Sequence, residues 1–273
     1  MNLGKLLKKL WKFALDNYFI SIFLACIAFV ILVSAYKLFF TKPTYVYVRV
    51  KMGQGLWWAS TQKPSLWFIK NIKKGDVQTD LMGKPIAEIL SVKYYPTYIS
   101  NQYDVYLVMK LQVSGNKKTG KYNFARSTIG VGAPVDFEFP SSQFSGTIID
   151  LSIQPIKDKY IDKIVYLSKP FAYSWEYEAI KIGDKFFDGE ENVIEILDKS
   201  SGEEFSINSS YKGVIDQSFS QTRRDVMIKI KIKGKITDNK FVFGNDQIIS
   251  PGKTVYLSTD NFSFTDYLVS KVE

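Results

Sequence analysis

The chain has no histidine and a single cysteine, Cys26, among its 273 residues. Without imidazole there is no Ser-His-Asp or Cys-His catalysis, and the commonest ligands of zinc sites are missing. One thiol cannot form an intramolecular disulfide, so no disulfide framework staples the fold. No P-loop or dinucleotide fingerprint occurs. A strong field of one sign is also lacking. Of the formal charge of +9, residues 1–43 hold Lys5, Lys8, Lys9, Lys12, Lys37 and Lys42 against Asp16, which leaves 30 basic and 26 acidic side chains over the remaining 230 residues. That mixed balance does not favour nucleic acid. The expectation is no catalytic residue, no metal, no cofactor and no nucleic-acid partner.

What is present begins with an apolar run. Residues 18–36 read YFISIFLACIAFVILVSAY without a charge and continue to Phe40. About 20 apolar residues cross the hydrocarbon of a bilayer as a helix, so a transmembrane helix is expected over 18–40. Lysines crowd its N-terminal side, and residues 1–17 carry LGKLLKKLWKFAL, with leucines on one helical face and lysines opposite. This predicts a cytoplasmic basic amphipathic segment, an N-terminus in the cytoplasm and C-terminal domains outside the membrane. Val33-Ser34-Ala35 also has the small-residue spacing of a signal-peptidase site, so cleavage after Ala35 stays open. A lipoprotein box at Leu24-Ala25-Cys26 is disfavoured by the apolar residues that follow it.

Past Pro43 the texture becomes period-two alternation, as in YVYVRVKM (45–52), YDVYLVMKLQVSG (103–115) and RRDVMIKIKIKGKI (223–236). One phrase is written twice: WFIKNIKKGD (67–76) and WEYEAIKIGD (175–184). Further blocks follow in the same order, IAEIL (86–90) with VIEIL (193–197), KLQVSG (110–115) with KIKIKG (229–234), KYNF (121–124) with KFVF (240–243). Gly132 falls on Gly252 and Phe144 on Phe264, and VYVRV (46–50) corresponds to KIVYL (163–167). Collinear matches of this kind indicate duplication. The expected fold is mainly β: the N-terminal transmembrane helix, then two tandem small β-barrel or β-sandwich domains at 44–152 and 163–273, joined by a linker at 153–162. In this repeat signature Trp67 and Trp175 are read as core anchors of a short helical turn. Gly75 and Gly183 supply tight turns, and Asp76 and Asp184 are expected to bond their own downstream backbone.

Ile72-Lys73-Lys74-Gly75-Asp76 and Ile180-Lys181-Ile182-Gly183-Asp184 resemble the Ile-Lys-x-Gly-Asp phrase of bacterial single-pass membrane proteins that carry an uncharacterised extracytoplasmic β-domain. The resemblance implies a cell-envelope location and no catalytic residues, and this chain differs in having two copies. Type I signal peptidases are similar in their anchor, β-rich domain and Gly-Asp turns, but their Ser-x-Met-x-Pro motif has no counterpart here. Sortases and L,D-transpeptidases need an extracytoplasmic Cys and a His, and this chain has neither. The preferred reading is a non-catalytic, membrane-anchored envelope scaffold or assembly subunit with a protein partner or a homo-oligomeric state. A glycan- or small-molecule-binding sensory ectodomain is the alternative, and a Ser-Lys hydrolase using Lys93 or Lys110 a third. Trp57 and Trp58, adjacent in the glycine-containing stretch 52–67, are the candidate binding residues for a partner or a glycan.

Overall fold

The computed structural model describes residues 17–40, 43–53, 63–99, 101–116, 120–211 and 217–273. Residues 1–16 of the expected basic amphipathic segment 1–17, and Trp57 and Trp58, lie outside the described residues. Helix α1 spans Tyr18–Phe40 and is apolar all round, without an acid in its first turn. Among the described residues no helix is long and apolar enough to cross a membrane. The backbone of α1 as a whole has 23 residues, about 35 Å at 1.5 Å per residue.

Residues Tyr45–Glu273 form a separate compact unit of two curled antiparallel sheets. The first contains β1 (Thr44–Met52), β2 (Val77–Thr79), β3 (Pro85–Pro96), β4 (Tyr103–Asn116), β5 (Lys121–Phe124), β6 (Ser127–Ile129), β7 (Pro134–Glu138) and β8 (Gln143–Ser152), with α2 (Leu66–Ile69) after β1. The second contains β9 (Tyr160–Tyr173), α3 (Ser174–Ala179), β10 (Lys185–Phe187), β11 (Asn192–Ser201), β12 (Phe205–Tyr211), β13 (Gln217–Thr237), β14 (Lys240–Phe243), β15 (Gln247–Ile248), β16 (Thr254–Ser258) and β17 (Ser263–Val272). Their orders are β2-β3-β4-β1-β8-β7 and β10-β11-β13-β9-β17-β16, with the β5–β6 and β14–β15 hairpins branching from β4 and β13. The topology is the same strand for strand, with β12 extra. β9 begins at Tyr160, inside the stretch expected as linker.

The correspondence reaches individual bulges. Leu90 on β3 and Leu197 on β11 are both skipped in pairing with the next strand. So are Ile86 and Val193, and Ile149 and Ser270. A bulge leaves one residue unpaired and bends its strand, so three shared bulges give both sheets the same curl. One block of the sequence alignment is corrected. Ile89 pairs with Met109 and Ile196 with Ile230, which places Met109 on Ile230 and Gly115 on Ile236, two residues away from the glycine-to-glycine match. The difference is absorbed in the hairpins: residues 117–120 separate β4 from β5, whereas only Asp238 and Asn239, both at positive φ, separate β13 from β14. A slip of two preserves alternation, so Val105, Leu107, Met109 and Leu111 face one core and Val226, Ile228, Ile230 and Ile232 the other.

The repeated phrase is the joint that starts β2 and β10. Gly75 N–H donates to Ile89 O (2.8 Å) and Ile89 N–H to Asp76 O (3.0 Å); Gly183, Ile196 and Asp184 repeat both bonds at 2.8 and 2.9 Å. Both glycines sit at φ +87. The aspartates differ from expectation: Asp76 accepts from Ser141 Oγ, and Asp184 from Asn261 Nδ2 at 2.9 Å. Each carboxylate thus ties the beginning of one edge strand to the hairpin of the opposite edge. The backbone bond from Asp260 N–H to Lys185 O (3.0 Å) adds to this in the second sheet. The tryptophans are also corrected. Trp67 is 69% and Trp175 60% exposed, and the inward positions of each joint are taken by Ile69 and Ile72, and by Ile180. A single short turn cannot direct both the tryptophan and these isoleucines inward.

The space at Gly75 and Gly183 is open, with nothing within 4 Å of an added Cβ. Gly75→Ala and Gly183→Ala are therefore expected to cost only the left-handed strain, about 1–2 kcal/mol. Thermal melts should show a drop of about 2–4 °C per kcal/mol. Gly130→Ala, equally open but without the positive φ, should leave Tm unchanged.

Candidate functional site

The two sheets meet through the outer side chains of β1, β3 and β4 and the turns of the second sheet. Alternation on β1 sends Val46, Val48 and Val50 into the first core, which turns Arg49 and Lys51 towards the second sheet. Arg49 Nη2 lies 2.8 Å from Asp158 Oδ2, in the connection between β8 and β9. Lys51 Nζ reaches Asp104 and Asp246, each at 3.3 Å. Aromatic contacts knit the same face: Tyr95 with Phe243 (centroids 5.2 Å), Tyr94 with Phe186 (6.0 Å) and Tyr98 with Tyr256 (6.0 Å). Tyr95 and Tyr106 from the first sheet belong to the core of the second.

At the centre is Asp188, fully buried in the turn between β10 and β11. Its Oδ1 accepts the backbone N–H groups of Glu190 (2.9 Å) and Glu191 (3.0 Å). Its Oδ2 takes Lys93 Nζ at 3.1 Å and the Tyr95 hydroxyl at 3.3 Å. Its carbonyl accepts Tyr94 N–H at 2.8 Å. A buried carboxylate is tolerated only when its oxygens are satisfied in this way. Gly189 is required by close approach, since a Cβ there would lie 2.5 Å from Val92 O. Lys93 also faces Glu191 (3.6 Å) and Glu190 (4.0 Å), and Lys74 meets Glu190 at 3.4 Å. Burial, helped by the Asp188 charge, pushes the Tyr95 hydroxyl far up. Burial likewise raises Tyr106 to about 12 against the opposing pull of Lys51. The hydrogen bond from Lys233 holds Glu191 below the usual carboxylate range. Burial alone would raise Asp158, but the bond and charge of Arg49 leave it lowered.

Two clefts flank this cluster. One, about 480 Å³, is lined by charged groups including Arg49, Lys93, Asp158 and Glu191. The other, about 620 Å³, is lined by Tyr94, Tyr98, Tyr103, Phe186, Tyr256 and Phe262, with Asp260 and Lys70 at its polar positions. Thr97, Gln102, Thr259 and Asn261 also line it, so the cleft mixes aromatic and polar surface. Of the lysines proposed for a Ser-Lys pair, Lys93 faces the Asp188 cluster and Lys110 lies over the Tyr45 ring at 4.6 Å. The described structure does not bring the six signature residues into one site: they mark two separate joints. Sequence reasoning missed Asp188, Glu190, Glu191, Arg49 and Asp158. A signal existed in the copy-to-copy difference, because Asp188-Gly189-Glu190-Glu191 stands where the first copy has Asp80-Leu81-Met82-Gly83-Lys84.

No family model, curated protein or solved structure matches the chain.

Removing one partner of a buried, hydrogen-bonded ion pair costs about 3–5 kcal/mol, and Asp188→Ala should show a loss of that size in chemical denaturation. The double variant Asp188→Leu with Lys93→Met should recover much of it, since no charge is then stranded. The pH dependence follows from Asp158 and Glu191. Both sit lower in the folded state, so their stabilisation is present above about pH 4 and is lost as pH falls through their folded values. Proteolysis within 153–159 should accelerate on acidification, and Arg49→Met should remove the part of that dependence due to Asp158.

Proposed function

We propose that this chain is a non-catalytic, membrane-anchored scaffold or assembly subunit whose two β-sheets form one protein-binding body. The observation that carries the reading is the repeated exposure of Trp67 and Trp175. The same joint in both sheets presents a large aromatic ring to solvent, although the fold does not need either ring in its core. Exposed tryptophans cost solvation and are favoured where a partner covers them, which makes them interface anchors. The ionic junction around Asp188 supports this role, because it holds the two sheets as one unit. The anchor is α1, 23 residues long, with the apolar sequence of Tyr18–Phe40. In this reading the sheets lie outside the cytoplasm, and Trp57 and Trp58 add to the contact surface.

One observation favours a second reading, a ligand-binding ectodomain. The aromatic cleft of about 620 Å³ between the sheets has the dimensions of a glycan or small-molecule site. A rise in Tm with soluble cell-wall glycans, abolished by Tyr98→Ala and Tyr256→Ala, would select it.

The test of the scaffold is crosslinking in intact cells, followed by capture of the full-length chain from detergent-solubilised membranes. A protein at fixed ratio, or a defined homo-oligomer, is expected. Trp67→Ala with Trp175→Ala should leave stability within about 0.5 kcal/mol, as for other exposed positions, yet release the partner. Trp57→Ala with Trp58→Ala should weaken it. Unchanged co-purification of both double variants would remove the tryptophans from the interface.

A further inference from the structure

The β2–β3 and β10–β11 turns each open on an aspartate that accepts amides of its own turn, over five residues in the first sheet and four in the second, and they have opposite fates. In the second sheet Asp188 is fully buried against Lys93, Tyr94 and Tyr95 of β3. In the first, Asp80 closes a turn one residue longer: its Oδ1 accepts Met82 N–H and Lys84 N–H, both at 2.9 Å, and its N–H donates to Lys84 O at 2.8 Å. The tip of this turn carries Leu81, fully exposed, and Met82, 72% exposed. The turn is held by its own hydrogen bonds, so the two apolar side chains are fixed in solvent.

They are not alone at that end of the sheet. Ala87, just past the turn, pairs with Leu111 on β4, and β4 neighbours β1, with Lys110 Nζ over the ring of Tyr45. Tyr47 in turn pairs with Ser152, so exposed Ile153 lies at the same end. The first sheet therefore presents Leu81, Met82, Tyr45 and Ile153 on the end where β1 begins, with Lys84 and Lys110 beside them. The corresponding end of the second sheet is a docking end, covered by Lys93, Tyr94 and Tyr95 of its neighbour. In the sequence three residues, 41–43, separate α1 from β1.

The geometry points to this end of the first sheet as a lipid-contact surface, with Leu81 and Met82 entering the interfacial region of a bilayer and Lys84 and Lys110 facing anionic headgroups. The inference rests on the reading of α1 as an anchor. Apolar side chains at the tip of a rigid turn, flanked by lysines, match the pattern of interfacial association, and Asp80 is kept from the lipid by its bonds to the turn amides.

The test uses the full-length chain carrying Cys26→Ser and Leu81→Cys, labelled with an NBD fluorophore and reconstituted into phosphatidylcholine–phosphatidylglycerol vesicles containing doxyl-labelled lipid. Ser200→Cys, on the exposed face of the second sheet, is the control. Blue-shifted emission and several-fold stronger doxyl quenching at position 81 than at 200 are expected. Equal quenching at the two positions in protein that floats with the vesicles would overturn the lipid contact and leave the anchor standing. A blue shift without doxyl quenching would overturn it in favour of a protein occupant such as a second copy. Failure of the chain to float after carbonate washing would sink the anchor reading and this inference together.

Discussion

Each sheet depends on the left-handed glycine that begins its edge strand. An open six-strand path leaves two edges with unpaired backbone groups, which invite pairing with another chain. At φ +87, Gly75 and Gly183 let the chain turn back so that its amide reaches the carbonyl at the bulge of the next strand. The following aspartate then crosses to the hairpin of the far edge. The curl of both sheets follows from the three shared bulges, and the joint ties one edge of each sheet to the other. The isoleucines near it can pack inward only because the tryptophans turn out.

Upon two equivalent sheets the chain builds an asymmetric pair. The junction has a polar centre because Asp188 replaces solvent with four donors, two from its own turn and two from the neighbouring sheet. Such a cluster adds little net stability over an apolar one, but a displaced register would strand the carboxylate, so it specifies one way of fitting the sheets together. The same turn in the first sheet exchanges acids for Leu81 and Met82. An aspartate-capped turn at the same place in each sheet thus serves as an ionic latch in one copy and, one residue longer, as an apolar tip in the other. This divergence carries more functional information than the conserved phrase does.

The alternation of VYVRV, VYLVMKL and VMIKIKI made the strands and their inward residues legible, because a half-buried strand has to write its two faces in a period of two. The duplication was legible for the same reason that it is structural: Gly-Asp joints and paired bulges constrain residue type locally. The two-residue slip between Gly115 and Gly234 was not legible, since a shift by one full period leaves every side chain on its proper face. The direction of Trp67 and Trp175 was misjudged because a large apolar residue beside a joint reads as core until the isoleucines near it are seen to fill the space.

By itself the sequence determined the class of fold, the two-fold repeat, the apolar segment at Tyr18–Phe40 and the absence of imidazole and disulfide chemistry. Those properties reside in composition and short-range periodicity. Only the tertiary structure decided which faces of the repeats meet and that Lys93, Tyr95 and Asp188 converge. It also decided that Trp67 and Trp175 face solvent, and that Asp188 is buried while Leu81 and Met82 are exposed. Each of these depends on contacts between residues about a hundred positions apart, which are set by how two curled sheets fit and by the cost of leaving a buried charge unpaired.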